Sequence, residues 1–390
     1  MDRSDQGKIR RDRNLRIIFS VTLISVLGVA SITPAFPRII RDLGIEPRQV
    51  GLLITTFTFP GMILAPFLGV LADRYGRKRI LVPSLLLFGL AGSACGFAGS
   101  FHVLLVLRFF QGTGAAALAS LAGTIIGDLF PGKERATAMG YNATVLSVGT
   151  ASYPAIGGAM ALFGWYYPFF LPLLALPVAY AALFHLENPE PKGGKNFVDY
   201  LKGAWGVLKN KDVLGVFLVG IATFIILYGS LLTFFPLMAS ARFGASTMTI
   251  GLLMSVMSVS TALTSTQMGR LSAKFGEKNL IKAAFLFYGA ALLLIPAISS
   301  VSLYALPAVI FGLGHGMNIP AIMSLMAGFA PIEHRGVIMS VNGMVLRLGQ
   351  TAGPLVMGVA YTLWGIAGPF YAGAVLALAV SIGGVIAVKY

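Results

Sequence analysis

Apolar runs of about 20 residues follow one another along almost the whole chain, separated by short polar loops, and few folds can accommodate such a pattern. A helix of that length spans the ~30 Å hydrocarbon core of a bilayer, and 390 residues leave room for about twelve such helices. A membrane barrel would alternate apolar with polar residues over segments of about ten, whereas runs such as 80–97 stay apolar. Charged residues make up 11% of the chain, against roughly 25% in an ordinary soluble domain, and hydrophobic residues make up 56%. The expected fold is therefore an all-α membrane protein of twelve transmembrane helices.

The formal net charge of +15 does not read as a nucleic-acid surface, because of where the charges fall. With both termini in the cytoplasm, most of the 29 Lys and Arg lie in the N-terminal tail, the inner loops and the C-terminus. Only Arg38, Arg41, Arg48 and Arg242 fall outside, and Arg108 and Arg347 lie within apolar runs. This is the positive-inside pattern of a multi-pass protein, here expected in a prokaryotic cell membrane. The first run, 16–36, is too long for the apolar core of a signal peptide and lacks a small-residue cleavage site. It ends in Thr33-Pro34-Ala35-Phe36-Pro37, where two prolines break or terminate the helix near its outer end. Cys95 is the only cysteine, so no disulfide within the chain and no redox chemistry are expected. No pair of His, Asp or Glu has ligand spacing within the runs, so no metal, cofactor or catalytic residue is expected, and the chain reads as a transporter, not an enzyme.

The second and third runs are joined by GVLADRYGRKRIL at 69–81, and 200 residues later the chain repeats it in weaker form as GRLSAKFGEKNLI at 269–281. Pro131, Arg135, Met139, Asn142, Gly149, Pro154 and Gly158 recur at the same spacing as Pro331, Arg335, Met339, Asn342, Gly349, Pro354 and Gly358, and Gly112 and Gly114 recur as Gly312 and Gly314. Six spans per copy is an even number, so both copies enter the membrane in one orientation as parallel repeats. The expected organisation is a cytoplasmic tail at 1–15, a six-helix bundle at 16–187, a cytoplasmic linker at 188–211 and a second bundle at 212–390. Within the linker, 197–208 has apolar residues at helical spacing and is expected to lie along the inner membrane surface.

The segment 69–81 resembles the signature loop of the major facilitator superfamily, and within it the 12-helix drug and metabolite exporters, the drug:proton antiporters. The resemblance implies a cytoplasmic gate built from Gly69, Asp73, Arg77 and Asp128, in which an ion pair holds helix ends together in one state and separates in the other. The second copy has Ala273, Glu277 and Gly328 at the corresponding positions, so the first half is expected to carry the stronger gate. Arg108, Gln111, Gly112 and Gly114 resemble the family's second motif. The run Gly149, Tyr153, Pro154, Gly157 and Gly158 resembles the exporters' GxxxGPxxGG, with Tyr153 in place of its second glycine and open to a role in the substrate path. Gly353 and Pro354 partly restore that motif in helix 11.

All 14 acids lie in tails, loops or helix ends, so protons, the candidate coupling ion, would have to be carried by Asp73, Asp128 or His315. Arg347 lies about ten residues, roughly 15 Å, into its run with no acid nearby in sequence. It either pairs with backbone carbonyls and water or awaits an anionic group of the substrate, with Asn318, Gln350 and Asn342 as polar neighbours. The implied function is secondary active export of small amphipathic drugs or metabolites by a monomer in the lipid bilayer. The alternative is an importer or exchanger of an organic anion with the same fold.

Overall fold

The computed structural model describes residues 12–187, 211–329 and 335–384, with side chains at 335–340 and 384 excluded. The N-terminal tail, nearly all of the linker with its segment 197–208, and Pro331 lie outside the described residues, as do the side chains of Arg335 and Met339. The regular structure described is helical throughout. The helices are α1 (Arg13–Leu43), α2 (Leu52–Tyr75), α3 (Arg77–Phe97), α4 (Phe101–Leu129), α5 (Gly132–Met160), α6 (Tyr167–His185), α7 (Lys211–Phe243), α8 (Thr247–Thr266, continued by Met268–Phe275), α9 (Glu277–Ala297), α10 (Ser302–Phe329), α11 (Arg335–Trp364) and α12 (Gly368–Ala379).

Ten stretches among the described residues are long and apolar enough to cross a bilayer. The last of them, 341–383, contains both α11 and α12. The remaining helix, α5, is less apolar because its first half carries Lys133, Glu134, Arg135, Asn142 and Thr144.

Local signals explain where helices begin and end. The side chains of Asp12, Ser100 and Ser246 accept hydrogen bonds from the backbone N–H groups of Leu15, Val103 and Thr249, capping α1, α4 and α8. Gly44 and Gly244 close α1 and α7 in the left-handed conformation, 200 residues apart, so the duplication extends to the turns. The prolines near the outer end of α1 do not terminate it. The chain makes one 3-10 turn at Thr33–Ala35 and stays helical to Leu43, because a proline in the first turn of a new helical segment sacrifices no hydrogen bond.

Each six-helix half is held by backbone-to-backbone approaches that repeat at the same offset. A Cβ on Gly112 would collide with the Phe57 carbonyl of α2, and one on Gly312 with the Met257 carbonyl of α8. Likewise Gly114 packs on Ser84 and Phe88 of α3, and Gly314 on Ala284 and Tyr288 of α9. Lipid gives no hydrophobic drive between helices, so such close contacts supply the dispersion energy that holds a bundle.

The halves meet along two seams, α2 against α11 and α5 against α8. Outer and inner are taken here as the positive charges assign them. At the outer end Gly51 lies against Pro354 and Thr233, Gly158 against Thr247, and Gly251 against the Pro154 carbonyl. Hydrogen bonds cross on the same side: Thr247 Oγ1 donates to Gly158 O at 2.7 Å, Thr55 Oγ1 to Thr351 O at 3.0 Å, and the hydroxyls of Thr58 and Thr351 are 2.9 Å apart. By contrast, no atom lies within 4 Å of the Cβ position of Gly69, Gly140 or Gly343, on the inner stretches of α2, α5 and α11. The outer end of the seam is sealed, and among the described residues the helices leave open space at these three inner positions.

Candidate functional site

At the inner end of the first half, α2 stops at Gly76, whose φ of 107° no L side chain adopts without strain, and α3 starts at once with Arg77. The turn tucks Arg77 inward, where its side chain is only 9% exposed. Asp73, one turn earlier, pairs with Arg77, and Asp128 at the end of α4 accepts from its Nε at 3.1 Å. The three gate residues read from the sequence are thus brought together. All three belong to one half. The triad ties the α2–α3 turn to α4 within the bundle, so its formation does not require the halves to close. Gly69, the fourth residue of the gate implied by the resemblance, has open space beside it among the described residues.

The second half uses the same position with inverted polarity. Glu277 follows Gly276 as Arg77 follows Gly76, and its Oε1 accepts from Ser272 Oγ at 2.7 Å and Ser324 Oγ at 3.0 Å. Where Arg77 is a donor hub between two carboxylates, Glu277 is an acceptor hub between two hydroxyls. Sequence reasoning missed this link, because two serines 5 and 47 positions from Glu277 carry no signal of their own.

Arg108 is fully buried and does not reach the surface. Its Nε donates to Leu53 O at 3.0 Å, its Nη1 to Gly28 O at 2.8 Å and to Gln111 Oε1 at 2.7 Å, and its guanidinium lies 4.2 Å over the Phe57 ring. A cation so placed is solvated by protein alone, and it pins α1, α2 and α4 to one another. Among the described residues, Nη2 of Arg108 and Nε2 of Gln111 have no hydrogen-bond partner. Tyr153, 8% exposed, packs beside Gly149 within the bundle. Gly149 and Gly157 rest on α1 while Pro154 and Gly158 rest on α8, so the exporter-like motif serves two interfaces at once. Gly353 in α11 packs on Ile225 and Gly229 of α7, while the next residue, Pro354, meets Gly51 of α2.

In the second half the Tyr288 hydroxyl lies 2.9 Å from His315 Nδ1 and accepts from Asn318 Nδ2 at 3.2 Å, and Asn318 Nδ2 also donates to Thr223 Oγ1 at 2.7 Å. The phenol has one hydrogen. With Asn318 donating to it, its own proton is best spent on Nδ1, which leaves the imidazole proton on Nε2. Asn318 is therefore committed to α7 and α9, and Asn342 turns toward Met323, so neither attends Arg347 as expected. Helix register explains the difference: their amide nitrogens find partners on α7, α9 and α10 of the second half.

Arg347 lies near the middle of α11 and crosses the seam. Its Nη2 donates to Ala116 O at 3.2 Å. That carbonyl is available because α4 is broken there: it runs as Phe101–Ala115 and resumes at Leu118, with Ala117 at φ −102°. The guanidinium sits in the space left by Gly61 of α2, where any side chain would overlap it. Tyr228 of α7 lies on a stretch, Ile226–Phe234, wound as a π-helix. The wider turn is closed by Thr233 Oγ1 donating to Tyr228 O five residues back. Neither the helix 4 break nor the π turn was legible in the sequence, since no proline marks either. Gln350, one turn from Arg347, is half-buried and near the same seam.

Comparison with known proteins agrees with this architecture. The model of the Major Facilitator Superfamily matches residues 18–248 and 228–390. Multidrug resistance protein 2 of Bacillus subtilis (strain 168) is 26% identical over 359 residues, covering 89% of this chain and 88% of that protein. Quinolone resistance protein NorA of Staphylococcus aureus (strain MSSA476) is 26% identical over 380 residues, covering 95% and 94%. Among solved structures, the crystal structure of the human organic anion transporter MFSD10 superposes with a TM-score of 0.72 at 20% identity, covering 97% of this chain and 99% of that one.

Proposed function

The chain belongs to the major facilitator superfamily and is a multi-pass membrane transporter, and we propose that it exports small amphipathic drugs or metabolites from a bacterial cell, with both termini in the cytoplasm. The observation that carries this reading is the asymmetry of the seam. Glycine contacts and threonine hydrogen bonds close it at the outer end, whereas no described atom lies within 4 Å of the Cβ positions of Gly69, Gly140 and Gly343 on the inner stretches of α2, α5 and α11, which supports a site between the halves open to the cytoplasm. Rocking one half against the other about the midplane would exchange these conditions and release the substrate outside. The direction is supported by the similarity to a multidrug resistance protein and a quinolone resistance protein.

Proton entry is the proposed driving force. No acid lies at mid-membrane among the described residues, so the carriers are the triad carboxylates, Asp73 and Asp128, and His315 with its Tyr288 partner. A second reading, exchange or uptake of an organic anion, is favoured by Arg347, a mid-membrane cation with no acid beside it, and by the likeness to an organic anion transporter. Proteoliposomes loaded with a pH-sensitive dye separate the two. Export predicts that substrate added on the cytoplasmic face moves outward as protons move inward. Substrate movement with no proton flux, or uptake alone, overturns the proposal.

A further inference from the structure

Arg347 has five N–H donors and uses one of them. Its Nη2 bond to Ala116 O is the one hydrogen bond its guanidinium makes among the described residues, and its other nitrogens are neither partnered nor sealed from solvent. The fork geometry makes this consequential. A guanidinium offers two bidentate edges, Nε with Nη2 and Nη1 with Nη2, and Nη2 contributes one hydrogen to each. Whichever hydrogen the Ala116 carbonyl takes, the other edge keeps both donors.

Tyr228 of α7 is half-buried, and among the described residues its hydroxyl has no hydrogen-bond partner. The π turn that carries Tyr228 packs through Gly229 on Gly353 of α11, which brings that face of α7 against the helix that carries Arg347. Arg108 shows what a purely structural arginine looks like in this protein, fully buried with three bonds and an aromatic ring on its face. Arg347 instead stands at the boundary between the halves, held across it by the single Ala116 carbonyl.

We propose that Arg347 and Tyr228 receive an anionic group, a carboxylate, sulfonate or phosphate, of the transported molecule. The free edge of the guanidinium supplies two parallel N–H donors to the anion, and the phenol supplies a third. The inference rests on the transporter reading and specifies its substrate: an amphipathic molecule whose negative end docks at mid-membrane while its apolar body lies along the seam. Because Arg347 also holds the Ala116 carbonyl, the bound anion is attached to both halves through one side chain. An anionic lipid head group offers the same chemistry as a soluble substrate, and the test distinguishes them.

The measurement is binding of two dyes on one xanthene scaffold, anionic fluorescein and cationic rhodamine 6G, to the purified full chain in detergent and in nanodiscs of neutral or anionic lipid. The quantity read is the ratio of the two affinities. Arg347→Ala is expected to lower the preference for fluorescein at least about tenfold, the worth of one charge-assisted pair. Arg347→Lys, which keeps the charge and loses the planar edge, is expected to fall between, and Tyr228→Phe to lower the ratio severalfold. A structural arginine would weaken both dyes together and leave the ratio unchanged. An unchanged ratio in Arg347→Ala and Arg347→Lys, or a wild type that binds no fluorescein, overturns the proposal. Fluorescein binding lost in anionic nanodiscs but present in neutral ones assigns the site to lipid phosphate as well. If Arg347-dependent binding holds while no substrate is carried outward in proteoliposomes, the export reading fails and the anion site stands. If outward transport holds while the ratio does not move, the reverse follows.

Discussion

Replacing Gly251 by alanine places a methyl group in the Pro154 carbonyl, 2.9 Å from its carbon and 3.2 Å from Ala155 Cα. Carbon atoms pack at about 3.5–4.0 Å, so α5 and α8 must separate by roughly 0.5–1 Å at the outer end. The obstacle is backbone, which cannot swing aside as a side chain would. Overpacking of this kind costs about 1–3 kcal/mol. The cost falls only on the state in which the outer seam is closed, whereas the gain in helix propensity from losing a glycine is shared by both states. The population with the outer end open should therefore rise about 5- to 150-fold. Thr33 reports it: this residue is fully buried between α1 and Met254 of α8, so a cysteine there is hidden while the seam is shut. The native Cys95 is also fully buried and can be changed to alanine. In a Cys95→Ala, Thr33→Cys background, Gly251→Ala should raise the rate of maleimide labelling from outside at least about fivefold, the lower end of that range. Gly140→Ala, at a position with no atom within 4 Å, is the control and should not. Equal labelling rates for folded Gly251→Ala and its parent would show that the α5–α8 contact does not hold the outer end closed.

The inner triad should respond through rate more than through stability. Asp73→Asn leaves Arg77 with Asp128, and since the two carboxylates are 45% and 27% exposed, the loss is expected to be about 1 kcal/mol while transport falls sharply; wild-type rates in an inserted Asp73→Asn variant exclude a gate role. Glu277→Gln still accepts from Ser272 and Ser324, so its thermal unfolding should shift less than that of Arg77→Gln, which strands two carboxylates; the opposite order would undo the account of the two hubs. Asp73→Asn, Asp128→Asn and His315→Gln, made singly, should between them alter substrate-driven proton flux, and the coupling scheme fails if all three leave it at the wild-type value.

Features written in residue identity and fixed spacing were readable from the chain alone. The 200-residue repeat showed the pairing of Gly112 with Gly312 and of Pro154 with Pro354, and the loop motif named Asp73, Arg77 and Asp128, which the fold brings into contact. The depth of Arg347 also followed from counting. What could not be read depends on how elements sit against one another. The α4 break at Ala116–Ala117 has no proline and puts its carbonyl to use only with Arg347 across the seam. Asn318 was expected as a polar neighbour of Arg347, yet its amide nitrogen faces Tyr288 and Thr223 on other helices. Which end of the seam is closed is a property of how two bundles are arranged, and no single residue encodes it.

The glycine contacts within each half have a consequence for how this protein can change over generations. Gly112 on Phe57 and Gly312 on Met257, like Gly114 and Gly314 on their neighbours, hold the bundles through main chain, so the scaffold is largely indifferent to which side chains project between the halves. Mutation of those projecting residues carries little folding penalty and is filtered mainly by what the altered surface can bind. A lineage built this way can wander through substrate chemistries on an unchanged frame, and one replacement at the seam can open a new one without first passing through an unstable ancestor.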